Sequence, residues 1–413
     1  MNALKRIDIN SHEFLAYPLG LCLSTLLLSY FLSSLFVGAF IIFSVRYAVI
    51  NKTLIKSIKR ADKWLILPIL FYLFCVLSLF WSVDSAQTLK GIGRLMALVL
   101  VPIGFVFSLK FDSKSYFNVL KIFSASNFIL GVFFLITAAI KFIEVKEIKV
   151  FTYHELVSPF ELNAIYVSLF YVINVLLLIC KKNKTKFEKV QIGFFSGLLL
   201  LLSSKTLIFG YIICLGLLFV RHVKRFNKKT IIISLVLFVS TLTISSFIIS
   251  DRIAEEGKTR IHQVFEKDTF GKAYYWTGTS IRLLQLRILK EQLEEDNIFL
   301  KGFGLFASKR NIKKRHETFN TYNTFHSYNY HNQYAQTIAE LGIIGLFMLL
   351  LMIFALLFKG FQNRNFAIIA FGLLMTLIFC TEAVLWRQRG LFLFVIFYCI
   401  FMSFQGFNAK KHI

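Results

Sequence analysis

The chain has 413 residues, 57% of them hydrophobic and 16% aromatic, with a formal net charge of +25. That composition excludes a water-soluble domain. Apolar runs long enough to cross ~30 Å of hydrocarbon recur along it, and because they are continuous rather than alternating they require helices. The expected fold is all-α, a polytopic membrane bundle of about 12 transmembrane helices with one large loop.

In chain order the spans are expected near 14–30, 32–45, 64–81, 92–109, 117–140, 159–180, 190–203, 206–220, 231–250, 339–358, 366–381 and 390–407. The first two are short and tightly joined, and a re-entrant hairpin is the alternative for them. The chain thus divides into transmembrane helices over 1–250, a loop over 251–338 with an amphipathic helix, and three more spans over 339–413. The first apolar stretch is too long for the core of a cleavable signal. Six cysteines (Cys22, Cys75, Cys180, Cys214, Cys380, Cys399) lie in or at the ends of apolar runs. They read as small apolar helix residues, not as disulfide partners or a metal site.

More than half of the 47 lysines and arginines fall in one alternate set of loops and ends, including "KKNKTKFEK" and "RHVKRFNKK". The positive-inside rule makes that set cytoplasmic. Both termini are then cytoplasmic and the 251–338 loop lies outside the cytoplasm. The basic charge reads as topogenic and headgroup-directed, not as a nucleic-acid surface. No internal repeat of fixed period is present, which argues against transporters built on inverted repeats.

Within the large loop, "TSIRLLQLRILKEQLEED" places Ile281, Leu284 and Ile288 on one helical face, with Thr279 or Ser280 as the expected N-cap. Arg282 and Arg287 are about 140° apart around that helix and need not share a partner. The segment "KGFGLFASKRNIKKRHETFNTYNTFHSYNYHNQY" mixes aromatic faces with amide and hydroxyl groups, a combination that suits sugar rings. His316, His326 and His331 lack an i, i+4 pair and an accompanying carboxylate pair, which argues against a metal site. No DxD-like element occurs in the outer loops, so metal-dependent transfer from a sugar nucleotide is disfavoured.

Basic residues also border spans on the same side: Lys90, Arg94, Lys205, Arg387 and Arg389. A charge at such a position costs several kcal/mol unless paired or wetted. Lys205 is the sharpest case, interrupting two apolar runs in "LLLLLSSKTLIFGY". Cations in excess of carboxylates point to an anionic ligand, phosphate being the natural one.

The stretch "HNQYAQTIAELGIIGL" resembles the motif of the O-antigen ligase and polymerase superfamily, through His331, Asn332, Gly342 and Gly345, with Leu346 in place of a common threonine. "RLLQL", Arg282 to Leu286, is similar to that family's Arg-x-x-x-Leu motif. "LFWSVDSAQTLKGIGRL", "SSKT" and "TEAVLWRQRGLFLF" resemble three of its outer turns, with Lys205 where arginine is frequent. The resemblance implies a twelve-helix bundle in the bacterial inner membrane with its site facing the periplasm. It implies a metal-independent glycosyltransferase that moves a glycan from a polyprenyl-diphosphate carrier to an acceptor hydroxyl, without a cofactor. The expected cations on the diphosphate are Arg282, Lys205, Arg387 and Arg94. His331 is the expected base, and Asn332 and Tyr334 are expected to orient the acceptor.

The leading expectation is an O-antigen ligase-like enzyme acting on lipid A–core. An O-antigen or capsule polymerase and a protein O-oligosaccharyltransferase share donor and chemistry with it. A transporter of lipid-linked sugars is the alternative from another class, but it would place its essential charges near mid-membrane. The glycines of the motif are expected to let a neighbouring backbone approach the helix that carries His331.

Overall fold

The structure, a computed structural model, describes residues 9–108, 111–222, 254, 256–257, 260–271 and 274–404. Among these residues the regular structure is helical, apart from one isolated bridge between Phe111 and Phe404. The span expected over 231–250 and the basic residues from 223 to 229 lie outside the described residues.

The first half runs through α1 (Ala16–Thr25), α2 (Tyr30–Ile50), α3 (Leu54–Arg60), α4 (Ile66–Leu77), α5 (Ser85–Arg94), α6 (Ala97–Phe107) and α7 (Ser113–Val145). Then come α8 (Tyr153–Leu156), α9 (Ala164–Cys180), α10 (Lys186–Leu201) and α11 (Lys205–His222). The second half holds α12 (Ile261–Glu266), α13 (Gly278–Glu295), α14 (Lys309–Thr318), α15 (Gln333–Gln362), α16 (Phe366–Phe379) and α17 (Gln388–Ser403). Among the described residues, five stretches are long and apolar enough to cross a membrane: Tyr30–Ile50, Lys63–Phe80, Ser85–Phe107, Ser113–Val145 and Gln333–Gln362. The apolar helices α9, α16 and α17 are shorter.

Burial sorts these helices into layers. From Leu391 to Ser403 every residue of α17 is buried, and most of α9 is too. A helix apolar on all sides must sit inside a bundle or a bilayer, and these two form its centre. Conversely α2, α7 and α15 turn large apolar side chains outward, with Phe31, Ile42, Ile129 and Phe347 more than half exposed. That is how a lipid-facing surface differs from a watered one. The short α1 spans only about 15 Å at 1.5 Å per residue and is packed between α2 and α7. The expected span at 92–109 is joined to a polar helix read from sequence as a turn: α5 is capped by Asp84, whose carboxylate accepts from the Gln87 amide at 3.1 Å.

A second, smaller core lies over the end of the bundle. It joins Ile281, Leu284 and Ile288 of α13 to Phe303, Ile312, Phe319, Tyr330, Ala335 and Ala339. The buried face of α13 is the one expected. Its cap, however, is Thr277, not Thr279 or Ser280: the Thr277 hydroxyl accepts from the Ser280 amide at 3.2 Å, and Ser280 accepts in return from the Thr277 amide at 2.8 Å. Ser280 is part of the cap from its third position, which is why the sequence pattern pointed there.

Between the two cores runs the segment 299–306. Its backbone joins α15 where that helix kinks at Gly342: Phe303 and Gly304 donate to the Ala339 and Glu340 carbonyls at 2.8 and 2.9 Å, and Ile343 donates to Phe299 at 2.8 Å. On its other side Val83 donates to the Phe303 carbonyl, Thr88 Oγ1 to the Leu305 carbonyl and Trp81 Nε1 to the Lys301 carbonyl. Gly342 has φ +66, and a Cβ there would stand 2.3 Å from the Leu300 carbonyl carbon and oxygen. The close backbone approach expected at this glycine is therefore present. Gly345 differs, because the atoms crowding it belong to Leu341 of its own helix.

Candidate active site

The turn between α16 and α17, Cys380 to Arg387, is the piece on which the site is assembled. Asn332 caps α15 by accepting from the Ala335 amide at 2.9 Å, and its side-chain amide donates to the Cys380 carbonyl at 3.0 Å. Gln333 accepts from the Leu385 amide at 2.7 Å. From the other side Arg282 donates through Nε to the Thr381 carbonyl at 3.1 Å, and through Nη1 to the Gly278 carbonyl at 2.9 Å. Its third contact is with Glu382, from Nη2 to Oε1 at 3.0 Å. Only a planar fork reaches three such acceptors at once.

The same Glu382 oxygen lies 3.7 Å from His331 Nδ1, and Glu382 is 8% exposed. His331 sits in the left-handed region, φ +46, where its amide donates to Asn329 Oδ1 at 2.9 Å. The ring meets Tyr328 edge-on at 5.0 Å. Both ring nitrogens are buried without a hydrogen-bond partner.

Next to this group opens a cavity of about 340 Å³. Its walls carry Lys205, Arg282, the hydroxyls of Ser204, Thr206, Thr277, Thr279 and Thr381, and the rings of Tyr153, Tyr275 and Trp276. Glu256 also lines it, 3.5 Å from Lys205 Nζ and accepting from the Thr279 amide at 3.1 Å. Burial pushes the Glu256 carboxyl up, but hydrogen bonds from Thr279 and the charge of Lys205 outweigh it and hold the group below the usual range. The carboxylate thus occupies the amino end of α13, where the helix presents free N–H groups and a partial positive charge.

The expected site residues fall into three groups. Lys205 and Arg282 line one cavity, and His331 joins them through Glu382. Arg94 and Arg387 do not line it. Arg94 stands over the Phe306 ring at 5.5 Å, and Arg387 begins α17 with its side chain exposed. Asn332 and Tyr334 are engaged in the framework: the Tyr334 hydroxyl donates to the Thr376 carbonyl at 3.1 Å. Arg287 faces away from Arg282, donating to Glu291 and to the Val264 and Lys267 carbonyls. His316 hydrogen-bonds Gln285 at 2.9 Å and Thr321 at 3.0 Å, buried in the small core. Three carboxylates, Glu256, Glu340 and Glu382, escaped the sequence reading. Glu382 sits among arginines that drew the attention, and Glu340 lies inside an apolar run, where Ser308, Gln336 and Trp386 all donate to it.

The apolar helices and the cavity walled in part by Lys205 and Arg282 describe a helical membrane protein with a polar pocket. Residues 192–350 match the family model Wzy_C, described as O-antigen ligase. The matched stretch includes Lys205, Arg282, His331 and Gly342 and ends before Glu382 and Arg387. No curated protein matches the chain.

Proposed function

We propose that this protein is an O-antigen ligase-like glycosyltransferase. It moves a glycan from a polyprenyl-diphosphate carrier to a hydroxyl of lipid A–core at the periplasmic face of the inner membrane, in a bundle of about twelve spans with both termini cytoplasmic. The observation that carries this reading is the linkage of cavity, Arg282, Glu382 and His331. Diphosphate is a good leaving group, so the main demand is for cations where its charge grows, and Lys205 and Arg282 line the cavity for that purpose. They supply from the chain the positive charge that other transferases take from a divalent metal.

His331 is the base. With Nδ1 turned toward Glu382, the other ring nitrogen keeps its lone pair for the acceptor hydroxyl. As that oxygen bonds to the sugar carbon, its proton passes to Nε2, and the bond from the same carbon to the diphosphate breaks. Glu382 then faces an imidazolium and balances its charge. Asn332 and Tyr334 act through the framework, fixing the half-turn that bears His331 against the Cys380 turn.

The test is deletion followed by complementation, read on lipopolysaccharide gels. Deletion removes all glycan from lipid A–core, wild type restores it, and His331→Ala, inserted at the wild-type level, does not. A single repeat unit persisting on the core would mean polymerase instead. An unchanged ladder with missing glycoprotein bands would mean transfer to protein.

A further inference from the structure

A second set of cations gathers away from the cavity. Phe306 and Trp386 stack at 4.5 Å between centroids and 9° between planes. Arg94 lies over Phe306 at 5.5 Å and Lys309 over Trp386 at 4.9 Å. Lys90 is one helical turn before Arg94 on α5, and Arg387 follows Trp386 in the chain. All four side chains are exposed. Burial of its stem pushes the Lys309 ammonium below the usual lysine range, and the charges of Arg94, Arg387 and Lys90 push the same way, against the pull of Glu340. That carboxylate already accepts from Ser308, Gln336 and Trp386.

What separates this group from Lys205, Arg282, Arg287 and Arg315 is pairing. Lys205 meets Glu256 and Arg282 meets Glu382. Arg287 meets Glu291, and Arg315 meets Glu295 and Asp296. Among the described residues, none of Lys90, Arg94, Lys309 and Arg387 forms an ion pair. Four like charges held together repel, buried Glu340 offsets only part of this at Lys309, and a bound dianion reverses the sign of that energy. Phe306 is buried and Trp386 only half-buried, so the stacked rings brace Arg94 and Lys309 from beneath and leave the charged ends to meet a ligand.

We propose that Lys90, Arg94, Lys309 and Arg387 form a second anion site, distinct from the Lys205–Arg282 cavity, that takes a phosphomonoester on a membrane-borne glycolipid. As a phosphate site it stands independently. Only its role as the acceptor's anchor rests on the transfer reading. It divides the four cations expected on one diphosphate between two substrates: Lys205 and Arg282 for the donor, Arg94 and Arg387 for the acceptor.

The experiment measures binding to the full chain in phosphatidylcholine nanodiscs, by thermophoresis, of three probes: a glucosamine-disaccharide lipid with two phosphomonoesters, phosphatidylglycerol and inorganic phosphate. Wild type binds the glycolipid best. Arg94→Gln with Lys309→Gln weakens that binding by roughly tenfold or more, as loss of charge-assisted hydrogen bonds requires. The charge-keeping pair Arg94→Lys and Lys309→Arg retains most of it, which rules out a folding defect. Lys205→Ala leaves glycolipid binding unchanged. Equal glycolipid binding by wild type and the glutamine double variant overturns the site. Phosphatidylglycerol binding as well as the glycolipid reduces it to a general headgroup patch, and displacement by equimolar inorganic phosphate overturns the lipid-borne ligand. Failure of the transfer reading would show separately, as an unchanged lipopolysaccharide ladder on deletion.

Discussion

At the scale of single residues, Glu382 is the test of how the site works. It touches Arg282 at 3.0 Å and faces His331 Nδ1 at 3.7 Å, so its charge serves both. Glu382→Gln keeps shape and removes charge. Transfer in a single turnover is expected to fall about 10²-fold, within the range for a disabled general base, while donor binding changes little. A parental rate would make Glu382 a framework residue. His316 supplies a second residue-scale prediction. Burial, with a smaller push from His326, lowers its pKa from 6.5 to about 4. The unfolded ring therefore binds a proton that the folded one refuses, so stability is complete above pH 6.5 and drains as pH falls toward 4. The loss amounts to something on the order of 3 kcal/mol. Hydrogen exchange of the Leu284 and Ile288 amides should accelerate across that window, and in His316→Gln it should not. His331, Arg282 and Lys205 were legible in the sequence because each is a charged or titratable residue at a conspicuous place. Glu382 was not, because its meaning depends on Arg282, a hundred residues earlier.

At the scale of elements, the kink of α15 decides how His331 is presented. The helix was legible from its apolar run, but the run begins after the capping residue and hides both Glu340 and the break. Gly342 permits the break. A methyl group there would collide with the Leu300 and Lys301 backbone, on top of the cost of a left-handed φ. Gly342→Ala is expected to destabilise the docked 299–306 segment by at least ~2 kcal/mol and to expose the Phe303, Gly304 and Ile343 amides to exchange. Gly193→Ala is the control: nothing lies within 4 Å of a Cβ at that position, and its effect should be near zero. Protection unchanged in Gly342→Ala would mean that the segment is held from its other side alone. The α13 cap was expected two or three residues too late because apolar periodicity starts at Ile281, whereas the cap is set by the reciprocal bonds of Thr277 and Ser280.

For the whole molecule, hydropathy made the bundle legible and charge made an orientation derivable. Which helices are central was not, since α9 and α17 look no more apolar than their neighbours and differ only in being surrounded. Reporter fusions test the orientation: one after Lys184 is expected to report cytoplasm and one near Asn311 periplasm. A cytoplasmic signal at Asn311 would reverse the scheme and put the cavity on the wrong side for a lipid-linked donor. The grouping of cations was also hidden at this scale. Arg94, Lys205, Arg282 and Arg387 were all readable as outer-face charges, yet only packing decides which of them share a ligand.

The 299–306 segment has a bearing on how the molecule is made. Ser78 and Thr88 bond to Leu305, a partner 227 and 217 residues further along the chain. At a translation rate of about 5–20 residues per second, that partner emerges ~10–45 s after the residues that await it. Until then Ser78 and Thr88 have only the local partners Cys75 and Ser82, and the Phe303 carbonyl that Val83 will bond does not yet exist. Assembly of the end that carries the candidate site is thereby placed last in biosynthesis, after the first-half helices have entered the bilayer. Nascent chains arrested before residue 297 should leave residues 78–88 open to added protease, whereas the finished protein should shield them.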